Sequence, residues 1–234
     1  QKMIESIDIG GPSMVRAAAK NHARTTVVVD PADYEPVVAE LVEKGDLGET
    51  RRRQLAWKAF SYTAFYDSLI SSYMATQCPE SSDPAPYHAV SGRLQQAMRY
   101  GENPHQSGSL YLYDRQSPLA LGRQLQGKTL SFNNLLDLSM VYEVVTDFVE
   151  QDPFCVIVKH QNPCGAAMGS TLAEAYAKAL ETDPRSAFGG IVGFNRSLDE
   201  DTARMVSEMF FEVVVAPGFS PEARDLLGKK KNLR

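Results

Sequence analysis

Short, wholly apolar runs alternate with segments of helical period in the second half of the chain, and that alternation limits the fold more than any other feature. Residues 155–158 (CVIV), 190–194 (GIVGF) and 213–215 (VVV) are too short for helices and carry no polar side chain on either face. Strands of that kind must be covered on both sides, as helices cover a mostly parallel sheet. The intervening segments read as helices. Residues 134–149 are amphipathic, and Ser170 reads as the cap of a helix running to Leu180. Ser197 with Glu200 reads as a capping box, and Ser220-Pro221-Glu222 as a helix start. The class is α/β.

The first half follows the same alternation. A short strand is expected to end near Ile9, where Gly10-Gly11-Pro12 turns the chain into a helix over 13–21. Residues 25–29 (TTVVV) read as a buried strand, and 33–44 as a helix with Pro36 in its opening turn and Gly45 closing it. A longer helix, about 49–73, spaces Leu55, Ala59, Tyr62, Tyr66, Leu69 and Tyr73 three and four apart. Those aromatics read as core or subunit interface. Residues 76–92 (TQCPESSDPAPYHAVSG) lose all period and read as a linker between a domain over 1–75 and another over 93–234. Beyond the linker, RYGENPHQ (99–106) is turn-rich and SLYLY (109–113) alternates like a strand. Both ends read as interrupted elements, so an internal segment of a longer protein is expected.

A net charge of −5 gives no basic face for nucleic acid; the dense run Lys229 to Lys231 is short and suits a solvated helix end. No stretch approaches the ~20 apolar residues of a membrane span. Three cysteines, at 78, 155 and 164, are too few and too odd for a disulfide framework and suit a reducing, cytoplasmic setting. Neither partner expected on these grounds is a nucleic acid or a membrane.

Three places could carry chemistry. In the first, Asp8 ends a strand and Ile9-Gly10-Gly11 opens a helix, where backbone N–H groups can meet an anion. A plain tight turn fits the glycines equally well. Lys20, two turns down, is beyond a cap, although a surface ion pair would also explain it. In the second, Lys159-His160 follows the strand 155–158 and leads a loop, KHQNPCGAAMG. An imidazole at a strand's carboxyl end can accept a proton near neutral pH, and a neighbouring ammonium disfavours its charged form while stabilising an oxyanion. A loop-capping His is the plain alternative. A zinc site is not expected, because Ala167 stands where a second cysteine would be needed after Cys164. In the third, Arg99, Tyr100 and His105 bring a phosphate-type cation, a stacking ring and an imidazole into one tight loop.

Taken in order, IDIGGPSMVRAAAKNH, RYGENPHQ, VIVKHQNPCGAAMG and DPRSAFGGIV strongly resemble the bifunctional AICAR transformylase/IMP cyclohydrolase family of purine biosynthesis. The resemblance implies the rear part of a methylglyoxal-synthase-like cyclohydrolase domain, followed by the front part of a cytidine-deaminase-like transformylase domain. It implies formyl transfer from 10-formyltetrahydrofolate to AICAR, then closure of FAICAR to IMP, with no catalytic metal. It gives His160 and Lys159 the transformylase chemistry and Arg99, Tyr100, His105, Asn134, Gly189 and Glu212 the nucleotide contacts. Lys20 and its carboxylate partner Asp8 take the ring closure, assisted by Ile9, Gly10 and Gly11. The family acts as a homodimer. The resemblance leaves out the family's N-terminal nucleotide loops and the rear of the transformylase domain, so an inactive nucleotide-binding or assembly fragment is the competing reading. Simultaneous presence of Asp8, Lys20, Lys159 and His160 favours the enzyme.

Overall fold

The computed structural model describes residues 2–78, 86–113 and 122–234. They divide into two compact units, Gln1–Gly92 and Arg93–Arg234.

The first unit is helical. Helices α1 (Lys2–Glu5), α2 (Gly10–Lys20), α3 (Tyr34–Lys44) and α4 (Glu49–Thr76) follow one another, with a 3-10 turn at Pro31–Asp33. The strand expected before Ile9 is absent: residues 2–5 are helical and 7–9 irregular. Residues 25–29 form no ladder either. Val27 and Val29 pack with Ala19, Ala56 and Ala59, while Val28 packs with Val37, Leu47 and Leu55. That alternation is the period of an extended strand, but none of residues 25–29 is fully buried and no ladder forms among the described residues, which corrects the buried strand expected there. Helix α3 ends at Gly45, whose φ of 74° lets its N–H reach the Leu41 carbonyl. Along α4, Leu55 and Ala59 are buried, but Tyr62 and Leu69 are 56% and 46% exposed, so the aromatic stripe is only partly core. Of the expected linker, residues 79–85 lie outside the described residues.

The second unit opens with a hairpin. Strand β1 (Arg93–Ala97) pairs antiparallel with β2 (Ser109–Leu112), and the RYGENPHQ motif forms its tip. Helix α5 (Phe132–Asp147) follows, then β3 (Phe154–Lys159), β4 (Asn162–Met168), α6 (Leu172–Thr182), the single turn α7 (Pro184–Ala187), β5 (Ile191–Phe194), α8 (Glu200–Ser207), β6 (Val213–Val215) and α9 (Pro221–Gly228). The sheet order is β4-β3-β5-β6. Only β5 and β6 are parallel; β3 runs antiparallel to both its neighbours, which corrects the mostly parallel sheet expected from alternation alone. Segment 159–169 is not a loop. It is the end of β3, a two-residue turn and the edge strand β4, where Pro163 is tolerated because an edge needs fewer donors.

Burial on both faces explains the apolar runs. Phe154, Val156 and Val158 face α5, and Cys155 and Ile157 face the layer of α6, α8 and α9, all between 0% and 2% exposed. Gly193 is a glycine because α5 lies so close: a Cβ there would overlap Val141 Cγ1. Caps differ slightly from expectation. Thr171, not Ser170, caps α6 by accepting the Glu174 N–H at 3.1 Å, and Ser170 instead bonds the Glu174 carboxylate. Asp199, not Ser197, caps α8, its carboxylate taking the Thr202 N–H at 2.8 Å, which a shorter helix start dictates. Asn195, 4% exposed, stitches the end of β5 to the approach to β3. Its Oδ1 accepts the Phe154 N–H at 2.8 Å, and its Nδ2 donates to the carbonyls of Phe148 and Asp152 at 2.7 and 2.9 Å.

Candidate functional site

Helix α5 gathers the site. Its N-terminus is closed by a reciprocal capping box: the Asn134 N–H donates to Ser131 Oγ, and the Ser131 N–H donates to Asn134 Oδ1, both at 3.1 Å. That fixes the next side chains in register. Phe132 lines an open depression of ≈ 550 Å³ with Gly101, Glu102, His105, Gln106 and Ser107. Asn133 Nδ2 approaches the Glu102 carbonyl at 3.5 Å, and Gln96 Nε2 donates to the Leu130 carbonyl at 2.8 Å, so the hairpin is joined to the helix and to the segment that leads into it. Asn134 Nδ2 donates to Glu212 Oε2 at 2.6 Å. One turn on, Asp137 Oδ1 accepts the Gln161 N–H at 2.6 Å. Five residues of helix span only about 7.5 Å, so both hairpin tips and the Glu212 carboxylate converge on one short stretch.

The tip of the RYGENPHQ hairpin is held by its own backbone. Gly101 N–H donates to the Gln106 carbonyl at 2.8 Å, and Gln106 Oε1 accepts the Asn103 N–H at 2.8 Å. The Arg99 guanidinium carbon lies 5.9 Å from the Tyr100 ring centroid, a cation–π arrangement that leaves the exposed guanidinium facing water.

A second open depression, ≈ 560 Å³, is lined by Lys159, His160, Asn162, Pro163, Cys164, Arg185 and Ser186. His160 sits at the tip of the β3–β4 hairpin with φ 53°, and Gln161 follows at 61°. Lys159 Nζ donates to the Phe188 carbonyl at 2.6 Å. That carbonyl immediately precedes Gly189, whose φ of 75° turns the chain so that its N–H bonds the Phe210 carbonyl at 2.8 Å. The Glu212 N–H then bonds the Gly190 carbonyl at 2.9 Å. Lys159, Gly189, Glu212 and Asn134 therefore form one connected series. His105 and His160 line separate depressions, joined through α5 and not through each other.

Charge is managed around these groups. The Asp183 carboxyl is held below its usual range, chiefly because Ser186 Oγ donates to it at 2.6 Å and the Ser186 N–H at 3.0 Å. Burial pushes the Cys164 thiol up, and its sulfur lies 3.5 Å from the Ile157 carbonyl, so it packs as a weak donor. Cys155 is buried outright, and its thiol is pushed well up for the same reason.

In the first unit, Asp8 Oδ1 accepts the Gly11 N–H at 3.1 Å, and the Asp8 N–H donates to the Tyr66 hydroxyl at 2.9 Å. A Cβ on Gly11 would collide with the Asp8 carboxylate, so the second glycine makes room for this contact. The carboxylate thus occupies the helix start that the sequence left open to a ligand's anion, while Ile9 is 73% exposed beside it. Lys20 ends α2, ten residues from Gly10, about 15 Å along the axis. Asp8 and Lys20 are therefore not brought together.

Asp137, Arg185 and Arg234 were missed in the sequence. Asp137 had a readable sign, standing three residues from Asn134 and so on the same helical face. Arg234, whose guanidinium lies 3.5 Å from Glu212 Oε2, had none.

The chain as a whole is similar to known proteins. The sequence model of a family described as AICARFT/IMPCHase bienzyme matches residues 18–234. Bifunctional purine biosynthesis protein PurH of Bacillus cereus (strain B4264) is 48% identical over 233 residues, 99% of this chain and 45% of its own length. The protein of the same name from Bacillus anthracis (strain CDC 684 / NRRL 3495) matches with the same identity and coverage. The chain thus spans less than half the length of these relatives.

Proposed function

The chain belongs to the AICARFT/IMPCHase bienzyme family, and on that footing we propose that it takes part in the last two steps of de novo purine biosynthesis. In the first step the 5-amino nitrogen of AICAR attacks the formyl carbon of 10-formyltetrahydrofolate, the bond from that carbon to folate N10 breaks, and tetrahydrofolate leaves as FAICAR forms. In the second, the carboxamide nitrogen of FAICAR attacks the same formyl carbon, and water leaves to give IMP.

The single observation that carries this reading is α5, whose first six residues hold both hairpin tips and the Glu212 carboxylate. His160 takes the proton that the amine sheds as its nitrogen–carbon bond forms. Lys159 keeps two of its three N–H donors beyond the one on Phe188, and they serve the oxygen that becomes negative in the tetrahedral intermediate. Arg99 takes the ribonucleotide phosphate, Tyr100 and His105 the sugar and ring side. Asn134, Gly189 and Glu212 meet the polar edge of the aminoimidazole carboxamide, where a carboxylate can accept two N–H donors.

Ring closure belongs to the first unit, with Lys20 as acid and base. Asp8, held against Gly11, keeps Ile9, Gly10 and Gly11 in place, and any cooperation with Lys20 runs through the substrate or a second copy. A methylglyoxal-synthase-like origin for the first unit, a cytidine-deaminase-like one for the second, a homodimer and a cytoplasmic setting complete the proposal. In the full-length protein, His160→Ala should cut formyl transfer by about 10²–10⁴-fold and leave ring closure intact. Lys20→Ala should do the reverse. Survival of formyl transfer in the first variant removes His160 from its role; equal loss of both activities in the second means misfolding.

A further inference from the structure

His160 and Gln161 are the only non-glycine residues with positive φ among the described residues, and they are adjacent. A two-residue hairpin turn of this hand needs positive φ at both central positions, which Asn-Gly or Gly-Gly ordinarily supplies. His-Gln supplies neither residue, so the conformation must be imposed from outside the turn. Two contacts do so. Asn162 Nδ2 donates to the His160 carbonyl at 2.9 Å from within the hairpin. Asp137 Oδ1 accepts the Gln161 N–H at 2.6 Å from α5, twenty-four residues away in sequence. Only the second ties the turn to a rigid element, because α5 is anchored by its own capping box and by Val141 packed at 0% exposure against β5.

We propose that Asp137 is a positioning residue for formyl transfer, holding the turn left-handed so that the His160 ring is presented at one fixed place beside the Lys159 ammonium. The inference rests on the reading of His160 as the proton acceptor. It acts through an acceptor oxygen and not through charge, and it makes the unfavourable backbone a device for placing an imidazole that a relaxed turn would leave mobile.

The test uses the full-length enzyme with both activities measured. Asp137→Ala should lower kcat for formyl transfer about 10- to 100-fold, the scale of a small misplacement of a reacting group. KM for both substrates should stay within about two-fold, and ring closure should be untouched. Asp137→Asn keeps an acceptor oxygen and should retain most of the rate. Adding Gln161→Gly to Asp137→Ala should recover at least about ten-fold, because glycine adopts positive φ without help. A wild-type rate in Asp137→Ala, an Asp137→Asn variant as slow as Asp137→Ala, or no recovery with Gln161→Gly each overturns the proposal. His160→Ala run alongside separates the two ideas. Its loss of transfer with a normal Asp137→Ala sinks the positioning role alone, and its retention of transfer sinks the proton-acceptor reading beneath it.

Discussion

Replacing Asn134 by alanine should destabilise the second unit by roughly 2 kcal/mol, most of it from one hydrogen bond to a charged partner. Asn134 is 5% exposed and donates to Glu212 Oε2 at 2.6 Å, while its Oδ1 takes the Ser131 N–H. Hydrogen bonds to ionised groups contribute about 1.5–3 kcal/mol. Because the Glu212 side chain is 40% exposed and can be rehydrated, the lower end applies. Losing half of the capping box adds about 0.5 kcal/mol, since Ser131 Oγ still accepts the backbone N–H of residue 134. For a chain of this size each kcal/mol moves the midpoint by about 2–4 °C, so Tm should fall by about 4–8 °C. Differential scanning calorimetry at neutral pH measures it. Asn134→Asp supplies the discriminating control. It keeps the acceptor for the Ser131 N–H but sets a second carboxylate where the donor to Glu212 stood, so it should melt below Asn134→Ala. If both variants melt within about 1 °C of the parent, the contact contributes nothing and the account of α5 as an anchor fails.

Two further outcomes test the packing and the electrostatics. Gly193→Ala should cost about 1–3 kcal/mol by driving a methyl into Val141, and Val141→Ala on the same chain should recover part of that, so that a double-mutant cycle is clearly non-additive; strict additivity in urea unfolding would refute the contact. The Glu174 carboxyl is held down to about 2, first by the side-chain bond from Lys178 and then by Ser170. A depressed folded value contributes stability above the unfolded value of 4.5 that is lost as pH falls toward about 2. The Tm gap between Glu174→Gln and the parent should therefore narrow on acidification from about pH 6, and a constant gap would show the bonds to be absent.

Much of the second unit was legible because its strands have no polar alternative. A CVIV run covered on both faces can only be an interior strand, and β3 is that strand. Direction was not legible. Apolar composition says nothing of whether a neighbour runs parallel, and the hairpin after β3 was hidden because its turn carries His-Gln where glycine or asparagine would announce it. Asn162-Pro163 looked like a loop start, yet an edge strand accepts proline. In the first unit the alternation of Val27, Val28 and Val29 is real, but pattern specifies a face and not the partner that completes a ladder. Of the candidate site, the residues at the ends of β3 and in the RYGENPHQ tip were visible by type. What tied them together was α5, whose Asp137 shows its use only once residue 161 is seen beside it. The pairing of Asp8 with Lys20 came from the family resemblance and not from spacing; within this chain the two stand at either end of α2.

Asn195 carries a consequence for how this protein can vary. Its amide reaches three main-chain groups, at residues 148, 152 and 154, and no side chain among them. The amide therefore sets the course of the main chain there, while packing sets the side chains, as where the Phe148 and Phe154 rings stack at 4.0 Å. An inserted or deleted residue would slide peptide groups past a fixed amide and strand them in a dry interior. Orthologues should hence keep the same count of residues between 148 and 154.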